Sequence, residues 1–260
     1  MDKNSNSYVI VFAATVCIVL ASGLAATFHG LKARIDKNKL FDKQRNVLIA
    51  CGLYDPEQGA RPQAELEQMF RDQVQIEVLE FTRSQVTEPF RERGEKKNRQ
   101  VARITEAKKT EIALMDLPKV RLAEPERLLG EIYIADDSGK KVYCIPISGY
   151  GLWSTLYGFL ALEEDKDTVR GITFYKHGET PGLGGDVDKA WWQAHWKGKK
   201  THDTAGDLVG IRVLKGKGNT FAADGHDVDG ISGATITCNG VTKFVKADLE
   251  KYEAFFKGSN

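Results

Sequence analysis

The stretch of this chain with the most reactive side chains is the segment 229–237, which reads Asp-Gly-Ile-Ser-Gly-Ala-Thr-Ile-Thr. It combines one carboxylate, three hydroxyl groups and two glycines around a single alanine. Glycines let the backbone approach a ligand closely, so a bulky phosphate-bearing group can reach such a loop. Serine, threonine and glycine also cluster in ordinary turns, so the segment alone predicts only a loop in which the hydroxyl of Thr235 is accessible.

Two further segments have a related composition, Gly-Tyr-Gly-Leu-Trp-Ser-Thr at 149–155 and Glu-Thr-Pro-Gly-Leu-Gly-Gly at 179–185. A flat heteroaromatic ligand such as a flavin needs apolar walls, which Leu152, Trp153 and Leu183 supply. It also needs donors at its polar edge, which exposed backbone N–H groups and Thr180 supply. Each segment alone fits a core tryptophan or a plain Pro-Gly turn equally well. Their occurrence together in one chain favours a flavin site.

These motifs resemble the FMN-binding-domain family, in which the threonine of a Ser-Gly-Ala-Thr motif carries FMN through a phosphoester. Within it the chain is similar to the C subunits of Na⁺-translocating NADH:quinone oxidoreductases, in the stretches 38–48, 149–155, 174–185, 196–199 and 232–240. The charged stretch 83–110 has no counterpart in this resemblance. The G subunits of Rnf-type electron-transport complexes share the Ser-Gly-Ala-Thr and Glu-Thr-Pro-Gly motifs and are the first alternative.

The resemblance implies a covalent phosphoester of FMN on Thr235, made from FAD by a separate Mg²⁺-dependent flavin transferase. It implies that Ser232, Gly233 and Ala234 line the phosphate and ribityl end, and that Asp229 and Thr237 shape the loop and assist flavinylation. The residues expected around the flavin are Leu152, Trp153, Ser154, Glu179, Thr180, Gly182 and Leu183. No catalytic residue is expected besides these cofactor-binding groups.

The same resemblance implies a role for the chain. It would be one component of a six-subunit membrane complex that oxidises NADH, reduces ubiquinone and pumps Na⁺. It would relay electrons from an iron centre elsewhere in the complex to the flavin of the B subunit. The sodium path would lie in other subunits, because one apolar helix without charged side chains offers no ion route.

Composition excludes several other classes. Basic and acidic residues nearly cancel, 37 against 36, and no basic stripe interleaves with aromatic residues, so nucleic acid is not an expected partner. The histidines and cysteines lack the spacings of metal sites, so no metal is expected. Cys17 lies in an apolar segment, which leaves three cysteines that are predicted to be buried free thiols. A flavin-free extracytoplasmic binding or scaffold module is the second alternative.

Residues 8–28 contain no charged side chain and predict a membrane-spanning helix. At about 1.5 Å per residue this run covers roughly 30 Å, the thickness of the hydrocarbon core. A cleaved signal peptide is less favoured, because the run is long and only Lys3 precedes it beside Asp2. The basic residues that follow the span would keep the large domain in the cytoplasm by the positive-inside bias, which weakens for long domains. We follow the resemblance and expect a single-pass bacterial inner-membrane protein with its flavin domain in the periplasm.

The whole chain is expected to be α+β, with an anchor at 1–30, a helical and charged region at 31–125 and an FMN-binding domain at 126–260. In the middle region, apolar periodicity predicts helices at 31–52 and 62–81, and charge predicts a solvated, mobile insertion at 83–110. The last region is expected to hold a mixed or antiparallel sheet. Its predicted strands are 128–135, 141–147, 156–162, 169–175 and 208–214, and its predicted helices are 186–196 and 240–255.

Overall fold

The amino-terminal part of the protein is one long helix. The structure, a computed structural model, describes residues 6–92, 95–112, 117–219 and 225–258. Within them the first helix, α1, runs without a break over Asn6–Ala50, and it is the one described helix long and apolar enough to cross a membrane. The predicted stop at Gly52 is confirmed: this glycine has a φ of 68°, and its N–H donates to the carbonyl of Ile49.

The chain separates into two compact units, residues 1–43 and residues 44–260. The second unit includes the last turns of α1, in which Val47 and Leu48 are fully buried. The carbonyl of Asn46 accepts a hydrogen bond from Thr173 Oγ1 at 3.2 Å. The end of α1 is therefore part of the core of the second unit.

The predicted helix over 62–81 is wrong beyond its first half. Helix α2 covers Gln63–Gln73, and Val74 then takes extended backbone angles. Strand β1 follows directly as Val74–Glu92. Apolar residues at 74, 78 and 81 fit the spacing of one helix face, whereas those at 74, 76 and 78 fit the two-residue spacing of a strand. The β-branched side chains at 74, 76 and 78 favour the strand. Pairing with a later strand decides between the two patterns.

The expectation of a mobile insertion at 83–110 is also wrong for the described residues. Strand β2, Glu95–Thr110, pairs antiparallel with β1 from Val78↔Thr110 to Glu92↔Glu95, with a register shift at Thr82/Arg83. Residues 93 and 94 lie outside the described residues. Backbone pairing forms this hairpin although many of its side chains are charged. This high charge is why composition alone pointed to disorder. Helix α3, Leu117–Ala123, comes after it.

Six strands form one sheet in the order β2-β1-β3-β4-β5-β6, and every neighbouring pair is antiparallel. The four later strands are β3 Leu128–Asp137, β4 Lys140–Tyr150, β5 Thr155–Leu162 and β6 Val169–Lys176. The predicted α+β class with an antiparallel sheet is confirmed. The turn between β3 and β4 has positive φ at Ser138 and Gly139, as a tight hairpin requires.

The region between the sheet and the last helix is more irregular than predicted. In place of a helix over 186–196 there are 3₁₀ turns at Gly184–Asp188 and Ala194–Trp196, with the short helix α4, Ala190–Gln193, between them. The buried rings of Trp192 and Trp196 anchor this region in the core. The predicted strand over 208–214 shrinks to β7, Arg212–Val213, parallel to β8, Asp227–Val228.

The last helix, α5, covers Thr235–Gly258 and packs on the sheet with a buried face that includes Val241, Phe244 and Val245. It begins five residues before the predicted start at residue 240. Gly240 has a weak intrinsic helix propensity, which concealed the first turn. Its lack of a side chain is needed, because a Cβ there would lie 2.4 Å from the carbonyl oxygen of Tyr150. Thr235 therefore occupies the first turn of a long helix.

The predicted state of the cysteines is confirmed in the described residues. Cys51, Cys144 and Cys238 are free and buried, while Cys17 lies exposed on α1. Burial raises the pKa of the Cys144 and Cys238 thiols. Both groups are therefore neutral at physiological pH and unreactive as nucleophiles.

Candidate functional site

The carboxylate of Glu179 joins the three glycine-containing segments at the start of α5. Its Oε1 accepts the N–H of Trp153 at 2.9 Å and that of Ser154 at 3.0 Å. The N–H of Leu152 lies 3.2 Å from each carboxylate oxygen. Oε2 accepts the hydroxyl of Thr237 at 2.7 Å. One side chain thus fixes the 152–154 loop relative to the first turn of α5.

Glu179 is only 5 % exposed, so it needs these donors to stay charged. Burial by itself raises the pKa of this carboxyl group, but the hydrogen bonds from Thr237 and from the three loop amides outweigh it and hold the pKa below its ordinary value. The group is a buried anion at neutral pH. Both carboxylate oxygens accept hydrogen bonds from within the protein, so Glu179 holds the 152–154 loop and the first turn of α5 together.

Two glycines make room for this carboxylate. A Cβ at Gly184 would lie 2.5 Å from Thr237 Oγ1 and 2.8 Å from Glu179 Oε2. A Cβ at Gly151 would lie 2.8 Å from Glu179 Oε1 and 2.5 Å from Leu156 Cδ1. Sequence reasoning did not assign a role to either glycine. The sequence does contain a signal for both: Gly151 directly precedes the Leu152/Trp153 pair, and Gly184 lies within the Gly-Leu-Gly-Gly run.

Thr235 is exposed and is the first residue of α5. Ser232 and Gly233 form the turn before it, and Gly233 has a φ of 76°. Ala234 is buried, and its carbonyl accepts the N–H of Cys238 at 2.9 Å. The first N–H groups of a helix lack partners within the helix, and the helix dipole is positive at this end, so a negatively charged group on Thr235 is stabilised here.

Exposed apolar side chains come from the same segments that meet at Thr235. Trp153 is 66 % exposed, Leu183 43 % and Ile236, next to Thr235, 58 %. Leu183 reaches the turn itself, since a Cβ on Gly233 would lie 2.8 Å from Leu183 Cδ2. Large apolar groups left in water together are typical of a ligand or partner surface. The structure therefore leaves apolar side chains exposed on segments that Glu179 joins to the first turn of α5, where the hydroxyl of Thr235 is also exposed.

The remaining residues predicted around the ring shape the backbone of these loops. Ser154 Oγ accepts the N–H of Gly178 at 2.6 Å. The carbonyl of Thr180 accepts the N–H groups of Leu183 and Gly185, and its side chain stays exposed. Gly182 has a φ of 75°, a conformation that glycine adopts at no cost, and its N–H donates to Asp186 Oδ1 at 3.0 Å.

Asp229 points away from this group of residues and holds a neighbouring loop. Its Oδ2 accepts the N–H of Gly218 at 2.8 Å, and its Oδ1 accepts the N–H and side-chain amide of Asn219 at 3.1 and 2.7 Å. Burial raises the pKa of Asp229, but these hydrogen bonds outweigh it and lower the pKa overall. The backbone carbonyl of Asp229 accepts the indole N–H of Trp192 at 2.8 Å, which fixes the end of β8 to the core.

The residues present fit an FMN phosphoester. The hydroxyl of Thr235 is accessible, the helix start favours an anion, and exposed apolar side chains lie beside it. No group of three or more metal-ligating side chains occurs in the described residues.

Comparison with known proteins gives a consistent result. The FMN-binding domain family matches residues 151–250. A curated relative from Pseudomonas aeruginosa, named as the C subunit of the Na(+)-translocating NADH-quinone reductase, is 35 % identical over 98 % of this chain and 96 % of its own length. The protein of the same name from Yersinia pestis is 37 % identical over 90 % of this chain and 83 % of its own length.

Solved structures agree with these relatives. A crystal structure of the C subunit of the Na(+)-translocating NADH-quinone reductase from Parabacteroides distasonis matches with a TM-score of 0.65 and 25 % identity, over 88 % of this chain and 98 % of that one. A crystal structure of NqrC from Shewanella oneidensis matches with a TM-score of 0.61 and 27 % identity, over 82 % of this chain and 94 % of that one. The chain therefore belongs to the family of the C subunits of the Na⁺-translocating NADH-quinone reductases, a family with an FMN-binding domain.

Proposed function

We propose that the chain is a membrane-anchored flavoprotein subunit that carries FMN in phosphoester linkage on Thr235. The observation that supports this most is the position of Thr235: its hydroxyl is exposed at the first turn of α5 while Thr237, two residues on, is buried and bonded to Glu179. Of the two threonines in the segment, one is thus available for modification and the other is part of the buried hydrogen-bond network.

Attachment would use FAD as the substrate of a separate Mg²⁺-dependent flavin transferase. Thr235 Oγ1 attacks the phosphorus on the riboflavin side of the pyrophosphate, the bond to the AMP phosphate breaks, and AMP leaves. The hydroxyl proton goes to solvent, so the products are the phosphodiester on Thr235, AMP and one proton. Activation of the Thr235 hydroxyl would be the task of the transferase.

The residues of this chain would hold the cofactor and shield it. Leu152, Trp153 and Leu183 would pack against the isoalloxazine ring, and Ser232, Gly233 and Ala234 would surround the phosphate and ribityl end. Glu179 and Thr237 would keep the two walls at a fixed separation, with Thr180, Gly182 and Ser154 setting the loop backbones. Bound FMN supplies reversible one- and two-electron transfer. A covalent linkage suits an electron carrier because the cofactor cannot dissociate.

The relatives are named as subunits of a Na⁺-translocating NADH-quinone reductase, and we propose the same assembly for this chain. It would relay electrons within a six-subunit membrane complex between an iron centre and the flavin of the B subunit. Helix α1 would be the single anchor. The flavin domain at 126–260, to whose sheet β1 and β2 of the helical and charged region 31–125 add two strands, would lie on the periplasmic side of the inner membrane. The described part of α1 has no charged side chain within 8–28, so ion passage would occur in other subunits.

The test is peptide mass spectrometry of the full chain after co-expression with a flavin transferase. The wild-type peptide that contains Thr235 should gain the mass of FMN less water, and Thr235→Ala should lose this mass and the yellow colour that survives denaturation. Thr235→Ser should keep part of it because the nucleophilic oxygen is retained. Ser232→Ala is the matched control, since it removes an exposed hydroxyl of the same turn and should remain yellow. Flavin on Ser232 or Thr237, or none with an active transferase, would refute the proposal.

A further inference from the structure

A second loop, the one that follows β7, also borders Thr235. A small cavity of about 20 Å³ lies against the first turns of α5, and Thr235, Cys238 and Asn239 line it from the helix. Lys215 and Gly216 line it from the loop. A cavity of this size holds about one water-sized group, such as one oxygen of a phosphate. The lining residues that carry hydrogen-bonding side chains include Lys215, Thr235 and Asn239.

The backbone that carries Lys215 is held firmly in place. The N–H of Leu214 donates to the carbonyl of Val228 at 2.8 Å. Gly230 approaches this loop so closely that a Cβ there would lie 2.1 Å from the carbonyl oxygen of Leu214. The Asp229 carboxylate binds the next residues, Gly218 and Asn219. The 229–237 segment thus fixes the lysine loop and also supplies the acceptor threonine.

The loop contains two lysines in different surroundings. Lys217 Nζ lies 4.1 Å from the centre of the Trp191 ring, a cation–π contact that directs it to the indole. Lys215 lines the cavity together with Thr235. The nearby carboxylate of Asp229 already accepts hydrogen bonds from Gly218 and Asn219. Lys215 is thus an exposed lysine in the wall of the cavity that Thr235 also lines, whereas the ammonium group of Lys217, two residues later, lies over Trp191.

We propose that Lys215, assisted by Asn239, binds the phosphoester on Thr235 and is a positioning residue for its formation. This inference rests on the proposed attachment of FMN to Thr235. An ammonium group forms charge-assisted hydrogen bonds to phosphate oxygens, and a side-chain amide adds a neutral donor. When FAD is the substrate, Lys215 would hold the phosphorus next to Thr235 Oγ1. After transfer it would neutralise the remaining charge of the phosphodiester.

The experiment uses the full chain in dodecyl maltoside with FAD, Mg²⁺ and purified flavin transferase, and follows flavin mass on the Thr235 peptide against time. Lys215→Met should slow incorporation by about tenfold to hundredfold, the range expected for one hydrogen bond to a charged group. Lys215→Arg should recover most of the rate, and Asn239→Ala should have a smaller effect than Lys215→Met. Lys217→Met is the matched control and should stay within about twofold of wild type, because its charge is directed at Trp191.

A second readout is the ³¹P resonance of the phosphodiester in protein that is fully loaded with flavin after a long incubation. It should shift in Lys215→Met and stay at the wild-type position in Lys217→Met. Equal slowing by both lysine variants, a wild-type rate for Lys215→Met, or an unshifted resonance would overturn the inference while the proposed function stands. Failure of the wild-type chain to gain flavin on Thr235 would instead overturn the proposed function. Lys215 is exposed, so its replacement should leave the unfolding temperature unchanged, which checks that each variant is folded.

Discussion

Replacement of Glu179 by glutamine should destabilise the protein far more than the same replacement at an exposed glutamate would. The carboxylate accepts hydrogen bonds from Leu152, Trp153 and Ser154 and from the hydroxyl of Thr237. Glutamine keeps one acceptor oxygen and places an amino group at the other position. That amino group must face either the loop amides or Thr237. The remaining bonds also lose the strength that the negative charge gives them.

The size of the effect follows from these four bonds. A hydrogen bond to a charged group contributes about 1.5–3 kcal/mol, against about 0.5–1.5 kcal/mol for a neutral pair. A loss of roughly 1 kcal/mol in each of the retained bonds gives a total on the order of 3 kcal/mol. For a unit the size of residues 44–260, each kcal/mol lowers the unfolding temperature by about 2–4 °C, so Glu179→Gln should lower it by about 6–12 °C.

The effect should depend on pH in a defined direction. The folded-state pKa of Glu179 lies below its unfolded value of about 4.3. Its charge therefore contributes stability that is fully present above that unfolded value and is lost as the pH falls through the lower folded pKa. The difference between wild type and Glu179→Gln should be constant near neutrality and shrink in acid, where the wild-type group becomes protonated.

The assay is thermal unfolding of the full chain in detergent, followed by tryptophan fluorescence, which reports on the second unit because all four tryptophans lie at 153–196. Glu126→Gln is the matched control, since it makes the same chemical change at an exposed residue, and should shift the midpoint by less than about 2 °C. A shift for Glu179→Gln as small as that of the control, or a difference that grows in acid, would show that the carboxylate does not tie these segments together.

Three further predictions concern the same unit and its place in the cell. Gly184→Ala should destabilise the protein by about 1–3 kcal/mol and lower its flavin content, because the added methyl would lie 2.5 Å from Thr237 Oγ1. Gly258→Ala is the control, since a Cβ there would have nothing within 4 Å. Equal unfolding midpoints for the two variants would contradict the close approach. Burial raises the pKa of Asp248 to about 6, although the N–H of Ser148 and the charge of Lys251 act in the opposite direction. Part of the stability that is present below about pH 4 should therefore be lost as the pH rises through the folded pKa. Asp248→Asn should abolish that part of the pH dependence in urea unfolding, and an unchanged profile would exclude Asp248 as its source. Alkaline phosphatase fused after Asn260 should be active in cells, and an inactive fusion together with fluorescent green fluorescent protein at the same junction would place the domain in the cytoplasm.

Several features could be predicted from the sequence because they depend on local composition. The uncharged run at 8–28 is long enough to span a bilayer whatever follows it, and α1 contains it. Short runs rich in β-forming residues and bounded by turn signals identified the four strands β3 to β6. The glycine-hydroxyl segment at 229–237 could be recognised as a candidate site because two segments of related composition, 149–155 and 179–185, occur in the same chain.

Other features were decided by tertiary contacts that no local pattern contains. Val74–Phe81 has apolar spacing that fits a helix or a strand, and pairing with β3 selects the strand. The hairpin β1–β2 forms through backbone hydrogen bonds that are independent of side-chain polarity. Helix α5 runs from Thr235 through Gly240, which lies against Tyr150, and this contact joins residues ninety positions apart.

The arrangement of the candidate site belongs to this second group. The expectation from the sequence was that Glu179 surrounds the flavin ring. In the fold its carboxylate is buried and accepts hydrogen bonds from Thr237 and the 152–154 loop. Lys215 had no distinguishing sequence feature among the many lysines of the chain, and only the fold brings it to the same cavity as Thr235. Residue types alone therefore indicated which chemistry was available. Which hydroxyl is exposed, which is buried and which lysine shares a cavity with Thr235 were determined by the packing of distant segments, because burial and distance are properties of the folded chain.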